Sequence, residues 1–63
     1  MSDYQKRNLA VASAYGALAS VDKIIDGAPK RTPKWLIHNA RMAQVRITKC
    51  IPRLVEFRDE LND

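Results

Sequence analysis

Eight apolar residues in the second half of the chain, Leu36, Ala40, Ala43, Ile47, Cys50, Leu54, Phe57 and Leu61, follow one another at alternating intervals of four and three. That spacing sustains a seven-residue repeat over nearly four heptads, and a helix is the only regular structure that brings such positions onto one stripe. The stripe predicts a long second helix over about residues 33–61, which would extend roughly 43 Å at 1.5 Å per residue.

The first half carries a matching pattern. Tyr4, Arg7, Val11, Ala14, Leu18, Val21 and Ile25 again alternate in threes and fours, with Arg7 serving the stripe through its alkyl stem. Ser2 or Asp3 is placed to cap this helix, because a short side-chain oxygen accepts a bond from the unpaired amides of the first turn. The first helix is thus expected over about residues 3–26. Ala10, Ala17 and Gly16, near Ser13 and Ser20, make its opposite side small enough for a second close contact, although alanine is also simply a good helix former.

Punctuation between the stripes sets the topology. Gly27 is the expected left-handed stop, Pro29 prevents continuation, and Thr32-Pro33 restarts a helix with threonine as cap and proline in the first turn. A bend of residues 27–32 between long helices favours an antiparallel hairpin. Pro52 interrupts the second helix, since it has no amide to donate to the Thr48 carbonyl. The repeat keeps its phase across Pro52, so a kinked continuous helix is expected there.

Length then bears on assembly. A 63-residue chain is one domain, residues 1–63, and a domain of this size buries only about 60% of the surface its unfolded chain exposes. Ile37, Ile51 and Val55 on one flank of helix 2, with Trp35 and Met42 on the other, widen the apolar arc beyond what one partner helix covers. The expected fold class is all-α, a helical hairpin with a Pro52 kink, pairing as a dimer into a four-helix bundle. A monomer with a partner-binding groove is the other solution.

Several function classes have no footing in the sequence. One cysteine and one histidine exclude an intrachain disulfide and a Cys/His zinc knot. His38 has no carboxylate three or four residues away to orient it as a base, and Cys50 falls on the apolar stripe, where it reads as a small hydrophobe. Ser13 and Ser20 have no neighbouring histidine, and Asp22 and Asp26 beside Lys23 read as solvated acids rather than metal ligands. No catalytic residue, cofactor or metal is expected. The longest mostly apolar stretch, Leu9 to Val21, is broken by serines, and the N-terminus lacks the form of a secretory signal; no membrane association is expected, and the free thiol suits a reducing cytoplasmic setting.

Charge supplies the positive functional reading. Eleven basic against seven acidic residues give a formal net charge of +4, but the distribution is more informative. Between Gly27 and Val55 lie Lys30, Arg31, Lys34, Arg41, Arg46, Lys49 and Arg53 and no acid, whereas Glu56, Asp59, Glu60 and Asp63 crowd the last eight residues. Projected at about 100° per residue, Trp35, Met42, Arg46, Lys49 and Arg53 form one lateral band beside the stripe of helix 2, extended at the bend by Lys30 and Arg31. The sequence therefore points to a non-enzymatic interaction or regulatory protein that occludes or bridges an acidic protein partner through this band. The alternative is a dimeric helical nucleic-acid binder contacting backbone phosphates, although neither a tight helix-turn-helix nor a single-strand-binding loop is present.

Overall fold

The computed structural model describes residues 1–62 and consists of two long helices and a short terminal turn. Helix α1 runs from Asp3–Asp26, helix α2 from Lys34–Asp59, and a 3-10 turn follows over Glu60–Asn62. The helices lie side by side and antiparallel as a hairpin with principal extents of 49 × 19 × 12 Å. Asp63, the last acid of the tail, lies outside the described residues.

Ser2 starts α1 with a full capping box. Its hydroxyl accepts from the Gln5 amide at 3.1 Å, and the Gln5 side chain accepts from the Ser2 amide at 2.9 Å, so two otherwise unpaired donors are satisfied reciprocally. The other end departs from expectation. Gly27 keeps φ −92° and ψ 4° rather than the left-handed conformation, and its amide still bonds the Lys23 carbonyl at 2.9 Å. A Cβ on Gly27 would stand 3.2 Å from that same carbonyl oxygen, so the small residue serves closeness to the last turn rather than a positive φ.

The restart also differs in detail. Pro33, not Thr32, occupies the position before the first helical residue, and no side chain caps α2. The Pro33 carbonyl accepts from the Leu36 and Ile37 amides, and Thr32 donates its own amide to Pro29 in the preceding turn. Proline fixes the entry angle here by its locked φ. Further along, α2 runs through Pro52 without a break, as its unbroken apolar phase requires.

The seam between the helices matches expectation in α1 and shifts in α2. Arg7, Val11, Ala14, Leu18, Val21 and Ile25 are the buried or half-buried stripe of α1, with Val11 only 4% exposed, while Tyr4 lies at the exposed margin. In α2 the covered residues are Ile37, Ala40, Gln44, Ile47, Ile51, Leu54 and Arg58, with Ala43 and Val55 at the margins and Ile51 8% exposed. Leu36, Cys50, Phe57 and Leu61, expected in the stripe, are exposed.

Two overlapping heptads explain the shift. Both contain Ala40, Ile47 and Leu54; one completes the repeat with Leu36, Ala43, Cys50 and Phe57, the other with Ile37, Gln44, Ile51 and Arg58. The second heptad turns two isoleucines inward and lets its two polar members bond across the hairpin. Gln44 donates to the Asp22 carboxylate, and Arg58 donates to the Asn8 side-chain oxygen at 2.9 Å. A polar residue at a seam margin is tolerated when it finds such a partner, and apolar periodicity cannot register that partner in advance.

Candidate interaction surface

The rotation of α2 makes the hairpin two-sided. Asn8 and Asp22 of α1 meet Arg58 and Gln44 of α2 along one side. Helical projection places Tyr15 and Asp26 with the former, and Arg41, Thr48 and Asp59 with the latter, so this side is polar. The opposite side carries Ala10, Ala17 and Ile24 from α1 and Leu36, Ala43, Cys50, Phe57 and Leu61 from α2. Its members are exposed except half-buried Ala43, and Ile24 reaches 62% exposure.

Near the bend this apolar side opens into a cavity of about 610 Å³, lined chiefly by Val21, Ile24, Pro29, Leu36, Ile37 and Ala40. The sequence signal for this side is present in the seven-residue spacing of Ala10, Ala17 and Ile24, but that repeat is masked because two of its members are alanines.

Arg7 closes the far end of the hairpin. Its guanidinium lies 3.8 Å from the centroid of the Phe57 ring, donates to the Phe57 carbonyl at 2.6 Å and stands 3.5 Å from the Glu60 carboxylate. The expected packing of the Arg7 stem is thus joined by three polar contacts to the last turn of α2 and the residue beyond it. Nearby, the Asp59 carboxylate accepts from Arg58 at 2.9 Å and raises the arginine above its ordinary pKa, against the opposing effect of desolvation.

The basic band occupies the outer edge of α2. Trp35 is 64% exposed, and Met42, Arg46, Lys49 and Arg53 are exposed as well. The edge from Trp35 to Arg53 spans roughly 27 Å of helix. Met42 and Arg46 are brought together around a shallow depression of about 400 Å³ shared with Asn39, Ala43 and Ile47. Lys30 and Arg31 lie exposed in the bend, at one end of that edge rather than within it.

Among the described residues the band has no acidic partner. The two ion pairs among the described residues, Arg7 with Glu60 and Arg58 with Asp59, lie at the terminal end. None of Lys30, Arg31, Arg46, Lys49 or Arg53 takes part in either. Exposed cations without an internal acid keep their field directed outward, where a partner of opposite charge can meet it.

Residues with chemical potential lie apart. His38 and Cys50 are both exposed and not adjacent in sequence or on the helix face, and no three of His, Cys, Asp and Glu gather to hold a metal among the described residues. No helix of the described residues is long and apolar enough to cross a membrane. Compared with protein-family models, curated proteins and solved structures, the chain matches none of them.

Proposed function

We propose that this protein is a non-enzymatic interaction or regulatory module of the cytoplasm that docks an acidic protein partner on the outer edge of α2. The observation that carries the reading is the exposed set Trp35, Met42, Arg46, Lys49 and Arg53 along one helix edge, with its three cations outside both ion pairs of the described residues. Arg46, Lys49 and Arg53 would meet carboxylates. Trp35 and Met42 would supply the apolar anchors, since aromatic and methionine side chains are enriched at the centres of interfaces. Lys30 and Arg31 would extend the attraction to the bend.

In this reading the scaffold is a four-helix bundle of two hairpins, with Pro52 bending α2, and binding acts by occluding or bridging the partner. No cofactor or covalent step takes part. Rigid presentation of a charged helix edge is sufficient, because electrostatic complementarity sets both the encounter rate and the choice of partner.

A labelled poly-glutamate chain and a labelled mixed-sequence nucleic acid, each titrated with the protein over a salt series, test the proposal. The acidic polypeptide should bind, and combined substitution Arg46→Gln, Lys49→Gln and Arg53→Gln should abolish binding while leaving helicity unchanged. Equal binding by the triple variant would refute the assignment of the band. Tighter binding of the nucleic acid, with the steep salt dependence of phosphate neutralisation, would replace it with the dimeric nucleic-acid-binding alternative.

A further inference from the structure

We propose that the apolar side of the hairpin is the seat of a second copy, packed antiparallel so that α2 lies on α2 of the partner and α1 on α1. This deepens the reading above, since it fixes which faces of the bundle meet and where that places the basic edges. The pairing itself stands on area and shape.

The area argument comes first. The chain exposes 5151 Å², whereas a compact folded monomer of its mass exposes roughly 4,100 Å². Its radius of gyration is 14.8 Å, against roughly 11 Å for a compact chain of this length. The difference of about 1,000 Å² is close to what one partner contributes to a standard stable interface, about 800 Å². Two helices in one layer cannot enclose a core, and a second layer is the usual remedy. The apolar side is the one fit to receive it, because its central strip of Ala10, Ala17, Ala43 and Cys50 contains no charge.

The charge of the bend and the shape of the apolar side set the orientation of the second copy. The exposed basic residues Lys30 and Arg31 stand in the bend, outside both ion pairs of the described residues. Parallel packing would set both basic bends together. Antiparallel packing sets the two bends at opposite ends of the bundle.

Cross-helix bonds place Asp22 level with Gln44 and Asn8 level with Arg58, so Ala17 is level with Lys49. A two-fold axis at that level brings Ile24 of one copy over Ala10 of the other, and Phe57 to the level of Arg41, between Ala40 and Ala43. Large side chains then meet small ones, as close packing requires. The same axis lays the two triads of Arg46, Lys49 and Arg53 along one flank of the bundle, where an acidic partner would offset their mutual repulsion.

Sedimentation equilibrium should give a mass twice that of the 7.2 kDa chain. Cys50→Glu and Ala17→Glu each place a charge in the contact and should weaken dimerisation by at least about 100-fold. Both positions are exposed in the single hairpin, so helicity should persist, and Val45→Glu, off the apolar side, should leave the dimer intact. For orientation, a spin label at Lys30→Cys in a Cys50→Ala background should report a separation near the 49 Å length of the hairpin.

A strict monomer at high concentration would overturn the proposal, whether or not that monomer binds another protein. Dimers indifferent to Cys50→Glu and Ala17→Glu would overturn the face, and labels within about 20 Å, one bundle width, would overturn the orientation. The triple Gln variant of the basic band should still dimerise. Loss of partner binding with the dimer retained, or the reverse, therefore separates failure of one reading from failure of the other.

Discussion

Replacing Ile51 by alanine probes the rotation of α2 directly. Among the described residues Ile51 and Val11 are the two buried ones. Truncating a buried isoleucine to alanine costs about 2–5 kcal/mol, the upper values belonging to rigid sites that cannot collapse. Here the neighbours Ile47, Leu54 and Val55 are only half-buried, so water and side-chain relaxation fill part of the gap and about 2 kcal/mol is expected.

That loss is large for this chain. At roughly 0.05–0.15 kcal/mol per residue, 63 residues give a total stability of about 3–9 kcal/mol. Near the midpoint, each kcal/mol in a domain of this size moves Tm by about 4–8 °C, so Ile51→Ala should lower Tm by about 8–16 °C. Thermal and urea melts followed by circular dichroism at fixed protein concentration measure it. Val45→Ala is the matched control, since Val45 is 45% exposed and lies away from the seam; it should change stability by less than about 0.5 kcal/mol. Equal effects at the two positions, or an Ile51→Ala melt indistinguishable from the parent, would refute the observed seam.

Four further substitutions have expected outcomes. Ser2→Ala removes the capping box of α1 and should cost about 1 kcal/mol, visible as a lower urea midpoint; an unchanged midpoint would show that the cap does not contribute. Arg7→Met keeps the stem but loses the ring contact and the bond to the Phe57 carbonyl, and should cost about 1–2 kcal/mol. Glu60→Gln should stay within about 0.5 kcal/mol because the acid is exposed, and a larger loss there would reassign the clamp to the ion pair. Pro52→Ala restores an amide opposite the Thr48 carbonyl and should stabilise by about 1–3 kcal/mol, whereas a lower Tm would mean that packing depends on the proline.

The sequence by itself determined the elements and their connection. Ser2 with Gln5, the unbroken stripe from Arg7 to Ile25, the proline-rich bend and the long repeat beyond it act within a few residues of chain, so their consequences are fixed locally. It also determined the basic edge, because residues seven apart on a helix share a side wherever that helix is placed. What it left open was the rotation of α2. Ala40, Ile47 and Leu54 belong to two heptads at once, and both are apolar enough to pack.

Only the tertiary structure chose between them, by seating Gln44 on Asp22 and Arg58 on Asn8 while turning Ile37 and Ile51 inward. Those bonds join residues 22 and 50 positions apart, beyond anything a local period can report. The same choice turned Cys50, Phe57 and Leu36 outward and gave the hairpin an apolar side. A helix whose hydrophobic arc exceeds one partner must leave part of it uncovered, and the partner already present decides which part.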